Sequence, residues 1–303
     1  MPELPEVETV RRGLMPILEG ATILSANINR SDLRYPFPEK LCQRISHRQI
    51  IAVKRRAKYL LIELTGDLTL VSHLGMSGAW RIEEAALDRR YFSRAPLAVH
   101  DHFSLIVQAD SKKQHKVIYN DPRRFGMILL IHTDQVSTHP LFAKLGIEPL
   151  SDELSGDFLI REFHNRHKSL KAALLDQTII AGLGNIYVCE ALWRSFLSPF
   201  RQAARFAEEL QQQPKIAGNL ALNIRNVLSE AIKAGGSTLR DHKQVDGELG
   251  YFQHNFSVYG RENQPCPRCG TAVIRVKQSG RSTFFCKQCQ NGNNQLSNQG
   301  KPS

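Results

Sequence analysis

The feature that most restricts how this chain can fold lies near its end. Cys266-Pro267-Arg268-Cys269 is followed by sixteen residues and then by Cys286-Lys287-Gln288-Cys289. Two residues between the members of each pair turn both thiols to one side, and the longer interval accommodates two short strands. Val273 to Lys277 and Ser282 to Phe285 alternate as strands around Gln278-Ser279-Gly280, so a β-hairpin is expected to bring the pairs together. In a reducing compartment four such thiols read as one metal site rather than two disulfides. Four thiolates complete a tetrahedral Zn²⁺ and leave no position for a catalytic water, which makes the ion structural. Such a centre is formally dianionic. Arg268, Arg275, Lys277, Arg281 and Lys287 outweigh it, and no acid lies between the first and last cysteine, so the hairpin is basic with Arg281 at its exposed turn. Cys42 and Cys189 stand alone and are expected to be small buried hydrophobes.

A chain of 303 residues has room for further domains, each with its own core. Its 40 Lys and Arg against 29 Asp and Glu point to a polyanionic partner, a nucleic acid or an anionic surface. No apolar run is long enough to span a bilayer, and the acidic start does not resemble a signal peptide. The chain is therefore expected in the cytosol, a cytoplasmic location, or in whichever compartment houses DNA, and not in a membrane.

The opening Met1-Pro2-Glu3-Leu4-Pro5-Glu6 has two readings. Prolines suit the first turn of a helix and acids its positive end, and the stripe Val7, Val10, Leu14, Ile17, Leu18 continues to Gly20. The second reading is chemical. Removal of Met1 would expose the Pro2 nitrogen as a secondary amine, and an α-amino group with a pKa of about 8 is roughly a tenth unprotonated at neutral pH. Its attack on a sugar or carbonyl carbon gives an iminium, an electron sink for later eliminations. Glu3 stands beside it as a proton shuttle, and Glu6 lies one turn on.

From Thr22 to about His132 the pattern changes to short β-rich runs: Ile50 to Val53, Tyr59 to Leu64, Leu68 to Val71, Phe103 to Val107, Val117 to Tyr119 and Met127 to Ile131. Such spacing reads as an antiparallel sandwich or barrel. Residues 83–96 read as a surface insertion. Lys58, in Arg55-Arg56-Ala57-Lys58-Tyr59, is either an amine kept neutral by its basic neighbours or part of a solvated edge. His73-Leu74-Gly75-Met76-Ser77-Gly78 presents a methionine on a tight turn, unless Met76 is core. Asp121-Pro122-Arg123-Arg124-Phe125-Gly126 displays arginines beside an aromatic ring, the combination with which proteins part DNA bases.

Residues 137–151 read as a linker, beyond which the chain turns helical: Phe158 to Asn165, Leu170 to Asp176, Ile186 to Phe196 and Ile216 to Ala234, the last ended by Gly235-Gly236. Gly182-Leu183-Gly184 before a helix could cradle a phosphate, with Asn185 as N-cap or phosphate donor. Arg166, Lys168 and Lys171 make either a helix-turn-helix-like DNA grip or a solvated basic face. The polar stretch from Ser237 to Gly260 is too long for a passive loop, and is functional or disordered. These shifts divide the chain into 1–136, a linker at 137–151, 152–262, 263–290 and a disordered tail at 291–303.

Taken together, Pro2 to Leu14, the Lys58, Met76 and Arg123 motifs, Gly184-Asn185-Ile186-Tyr187 and the four-cysteine finger closely resemble bacterial formamidopyrimidine-DNA glycosylases, in order over residues 2 to 289. The resemblance implies a multidomain α+β protein: an N-terminal antiparallel β-sandwich with flanking helices, a helix–two-turns–helix domain and a C-terminal β-hairpin zinc finger. It implies a monomeric, bifunctional enzyme of base excision repair acting on damaged double-stranded DNA. Oxidised purines such as 8-oxoguanine and formamidopyrimidines would be flipped and excised, and the strand then cut by β,δ-elimination. By the same resemblance Pro2 is the nucleophile, Glu3 the proton donor, Lys58 the group for β-elimination and Arg281 that for δ-elimination. Met76, Arg123 and Phe125 fill the gap left by the flipped base. Asn185, Lys171, Arg166 and His100 contact DNA, the 237–259 loop covers the everted base, and Cys266, Cys269, Cys286 and Cys289 hold one structural Zn²⁺. The insertion at 85–98, the tail and the reshuffled basic residues around Arg166 depart from the pattern. An endonuclease VIII-like glycosylase for oxidised pyrimidines shares fold and nucleophile, but Leu4 and the Met76/Arg123/Phe125 set favour the purine enzyme. A non-catalytic zinc-ribbon DNA-binding protein is the rival from another class.

Overall fold

Pro5 lies in the first turn of α1 (Leu4–Leu18), where a missing N–H costs nothing, and the Glu6 carboxylate accepts the Glu3 backbone N–H at 2.8 Å. Val7, Val10, Leu14 and Leu18 on the expected stripe are buried, Ile17 packs at its edge, and Gly20 leaves the helix at φ +83°. The structure, a computed structural model, describes residues 2–84, 98–211, 213–237 and 252–291. Met1, most of the expected insertion, most of the 237–259 loop expected to cover the everted base, and the tail beyond 291 lie outside the described residues.

Two four-stranded sheets follow. One has the order β1 (Thr22–Ile28), β6 (Asp101–Gln108), β7 (Gln114–Asn120), β5 (Ala79–Glu84); the other β2 (Ile50–Arg56), β3 (Tyr59–Leu64), β4 (Leu68–His73), β8 (Met127–His132). Every pairing is antiparallel. Trp80, Phe103, Tyr119, Ile62 and Leu70 share one core with the inner face of α1, so this half is the expected sandwich. Trp80 adds a polar tie, donating Nε1–H to Ser72 Oγ at 3.1 Å. The strand β1, the short helix α2 (Leu41–Ile45) and β5 had no separate signal: Ser25 and Asn27 interrupt β1, and Arg81 and Glu83 interrupt β5.

The chain forms two units, one of residues up to Ala143 together with Ile232–Gln253, the other of Lys144–Ala231 and the residues from His254 onward. Within the stretch 137–151, Phe142 is buried with its ring 5.0 Å from Tyr59, and Ile147 bridges Ile180 in the second unit. The second unit holds α3 (Gly156–Phe163), capped by Ser155 Oγ, and α4 (Leu170–Leu174), capped by Ser169 Oγ. It continues with α5 (Asn185–Arg194), α6 (Ala203–Gln211) and most of α7 (Pro214–Lys233), then the hairpin of β9 (Ile274–Gln278) and β10 (Arg281–Phe285). Helix α6 escaped the sequence reading because its buried face is Ala203, Ala204, Ala207 and Phe206, three of them too small to mark a stripe. Among the described residues no helix is long and apolar enough to cross a membrane.

Candidate active site and metal centre

Pro2 is buried and Glu3 is 3% exposed, so both residues are packed into the fold rather than projecting into solvent. Its anchor is Glu6. One carboxylate oxygen holds the Glu3 N–H, and the other, Oε1, accepts the backbone N–H and the hydroxyl of Ser237, both at 2.9 Å. Helix α1 is also tied to β2: Arg11 donates to the Val53 carbonyl, the Val53 N–H donates to Glu19, and Arg55 pairs with Glu8 at 3.2 Å. Burial alone would raise the Glu8 pKa. Hydrogen bonds from Arg11 and Arg12 and the charges of Arg11 and Arg55 outweigh it and hold the carboxyl at about 2.

Lys58 is buried at the tight turn from β2 to β3, which Ala57 makes at φ +53°. Beside it, burial and then the charges of Lys58 and Arg34 lower the His73 pKa to about 4. His73 Nδ1 accepts the Gly75 N–H at 3.0 Å, so the neutral ring carries its proton on Nε2. In the sequence His73 is only the first residue of a turn; the Gly75 bond that fixes its tautomer has no sequence signal.

The Met76 and Arg123 motifs form two loops in backbone contact. Gly75 has φ +60°, and a Cβ there would lie 2.4 Å from the Gly126 nitrogen and the Phe125 carbonyl carbon. Met76 and Phe125 are 39% and 48% exposed, so Met76 is not core, and the Arg123 guanidinium sits 4.9 Å from the centre of the Phe125 ring. His100 ends a short 3₁₀ turn ahead of β6. Thus Pro2, Glu3, Lys58, Met76, His100, Arg123 and Phe125 belong to the first unit, while Arg166, Lys171, Asn185, Arg281 and the finger belong to the second.

In the second unit the N-cap of α5 is Gly184, which removes the first of the two readings of Asn185, that of an N-cap. Gly184 has the extended backbone of a cap, and Asn185 is already the first helical residue. The Gly182 N–H is taken by Gln177 Oε1 at 2.9 Å. Asn185 Nδ2 donates to the Ser282 carbonyl at 2.9 Å. Lys171, fully buried, donates to the same carbonyl at 3.1 Å and to Thr283 Oγ1 at 2.7 Å. Both side chains therefore fasten β10 directly beside Arg281, which is exposed at the hairpin turn. Arg166 donates to the Glu162 carbonyl near the end of α3 and lies 3.8 Å from Asp176, whose nearer partner is Lys168.

The four finger thiols lie within 4.8 Å of one another, with Cys266–Cys289 at 3.9 Å and Cys269–Cys286 at 3.5 Å. A tetrahedral ion with Zn–S bonds of about 2.3 Å sets its sulfurs about 3.8 Å apart, so the cage fits Zn²⁺. Trp193 Nε1–H donates to Cys266 Sγ at 3.3 Å, and Arg268 lies over both Trp193 (4.0 Å) and Phe196 (3.6 Å). The buried Glu190 carboxylate accepts backbone N–H groups of Ser257, Val258 and Tyr259. These contacts bind the finger and the segment leading to it onto α5. The site is that of one structural zinc ion.

Three family descriptions match in sequence order: the formamidopyrimidine-DNA glycosylase N-terminal domain over residues 1–128, the formamidopyrimidine-DNA glycosylase H2TH domain over 145–243, and the zinc finger found in FPG and IleRS over 263–292. The chain is 56% identical over 290 residues to the formamidopyrimidine-DNA glycosylase of Bartonella quintana, covering 96% of this chain and all of that one. The enzyme of the same name from Brucella suis is 53% identical over 298 residues, with the same coverage. Among solved structures, MutM (Fpg) from Thermus thermophilus is similar with a TM-score of 0.79 at 39% identity, over 96% of this chain and 99% of that one. Lactococcus lactis Fpg in complex with DNA containing an abasic site gives 0.81 at 34%, over 95% and 99%. With sandwich, helical domain and four-cysteine finger matched in order over nearly its whole length, the chain belongs to the formamidopyrimidine-DNA glycosylase family.

Proposed function

We propose that this protein is a DNA glycosylase and abasic-site lyase of base excision repair, acting in the cytoplasm as a monomer on oxidised purines in double-stranded DNA. The observation that carries the reading is the buried Pro2–Glu3 terminus, held by Glu6 on the first turn of α1. Once Met1 is removed, the Pro2 nitrogen bonds to C1′ of the damaged nucleotide as the C1′–base bond breaks, the base leaving with the bonding pair and taking up the proton that the amine gives up. A proton from Glu3 to the ring oxygen opens the sugar and leaves a Pro2–C1′ iminium. Loss of a C2′ proton then expels the 3′ phosphate, and loss of the C4′ proton expels the 5′ phosphate. Lys58 serves the first elimination and Arg281 the second. Everting a base costs a few kcal/mol of stacking, which Met76, Arg123 and Phe125 offset by filling the gap. His100, Arg166 and Asn185 complete the DNA contacts; Lys171, fully buried with its ammonium on Ser282 and Thr283, is assigned to hold β10 in place rather than to the DNA contact that the resemblance implies.

Borohydride trapping tests this reading. A covalent adduct with duplex DNA carrying 8-oxoguanine is expected from the processed protein, and none from a protein whose Pro2 nitrogen is blocked by an N-terminal tag. An adduct that survives the tag would overturn the nucleophile assignment, and excision of thymine glycol in preference to 8-oxoguanine would overturn the substrate.

A further inference from the structure

We propose that Asp121 is a positioning residue that locks the Met76 loop and the Arg123–Phe125 loop into one body; this rests on the gap-filling role proposed above. Asp121 is completely buried, and its carboxylate bridges the loops. Oδ1 accepts the Ser77 hydroxyl at 2.6 Å and Oδ2 accepts the Gly126 N–H at 2.8 Å. Ser77 Oγ in turn accepts the Arg123 N–H at 3.1 Å, so one hydroxyl touches both loops. The Asp121 N–H donates to the His100 carbonyl at 3.0 Å, and its own carbonyl lies 3.0 Å from His102 Nε2. A single buried residue thus fixes the backbone beside Met76, Arg123, Phe125 and His100.

Both carboxylate oxygens of Asp121 are engaged by loop donors, and among the described residues no lysine or arginine competes for them. The consequence is division of labour within each loop. The tips, Met76 and Phe125, are exposed, while the groups that aim them are buried. A side chain that must enter the base stack loses rotamer and loop freedom on doing so, and a loop fixed beforehand has less to lose. The clamp therefore acts where a stacked base has to be displaced. It has little to do at an abasic site, where there is no base to evert.

The test compares two single-turnover reactions in one duplex sequence: excision of 8-oxoguanine and cleavage at an abasic site. S77A is the primary variant, since it removes one hydroxyl and leaves Asp121 in place. The ratio of excision to abasic cleavage is expected to fall about tenfold, the effect of one or two lost hydrogen bonds. S77T, which keeps the hydroxyl, should restore the ratio, and adding S77A to M76A should lower it no further than M76A alone. Equal losses on both substrates, no loss, or independent effects of S77A and M76A would overturn the clamp. A wild-type protein that excises nothing overturns the functional reading and the clamp with it, an outcome distinct from an active enzyme indifferent to S77A.

Discussion

Glu6 Oε1 accepts both the backbone N–H and the hydroxyl of Ser237, each at 2.9 Å, across 231 residues of sequence. Its other oxygen holds the Glu3 N–H, so one buried carboxylate serves three donors. Glu6→Gln turns an amide N–H₂ toward donors it cannot satisfy, which costs about 1 to 3 kcal/mol per stranded buried group. Single-turnover borohydride trapping at Pro2 should slow by about tenfold or more, with the far-ultraviolet circular dichroism unchanged.

Glu8 supplies an acid-sensitive tie between α1 and β2. Its folded pKa of about 2 lies below the ordinary 4.5, so its contribution is complete above pH 4.5 and is lost as the pH falls toward 2. The contribution is about 1 to 2 kcal/mol once solvent screening is allowed for. Urea unfolding at pH 7 should show Glu8→Gln less stable than wild type by that amount, and the gap should narrow below pH 4.5 and close only as the pH falls through about 2.

At Gly75 the two exposed loops touch through their backbones. Gly75→Ala meets the backbone of Phe125 and Gly126 at 2.4 Å and also adopts a left-handed φ. A destabilisation of about 2 kcal/mol or more is expected in thermal unfolding. Gly20→Ala, at φ +83° with nothing within 4 Å, isolates the φ penalty of about 1 kcal/mol and should be the milder variant.

The zinc centre draws support from α5 through the Trp193 N–H on Cys266. Trp193→Phe keeps a ring for Arg268 but loses that donor, and outer-shell losses of this kind cost about 10- to 100-fold in metal affinity. Zinc release to a coloured chelator should quicken accordingly. Full chelation should abolish DNA binding while the sandwich stays folded, as read by circular dichroism and tryptophan emission.

Much of this was legible in the chain itself, for reasons that differ by residue. The paired cysteines marked a metal site and the alternation of Val273–Lys277 and Ser282–Phe285 between them marked the hairpin, while the stripe from Val7 to Leu18 marked α1. Contacts over long sequence separations left no trace. Nothing around Lys171 or Asn185 says that their donors end on Ser282, 111 and 97 residues away. The same holds for Asp121, whose Asp-Pro signals a turn but not that Ser77, 44 residues earlier, closes on it. Gly184 and Asn185 are both good N-cap residues, so composition alone did not place the first turn of α5 to the residue.

The return of residues 232–253 to the first unit has a consequence for the order of events at the ribosome. Chains emerge from their N-terminus at about 5 to 20 residues per second, so Glu6 waits roughly 10 to 50 s for Ser237 to be made. In that interval the whole of Lys144–Ala231 is translated. The N-terminus, first to be synthesised, is therefore among the last parts of its own unit to be secured. A nascent chain arrested before Ser237 carries the proposed nucleophile without one of its anchors.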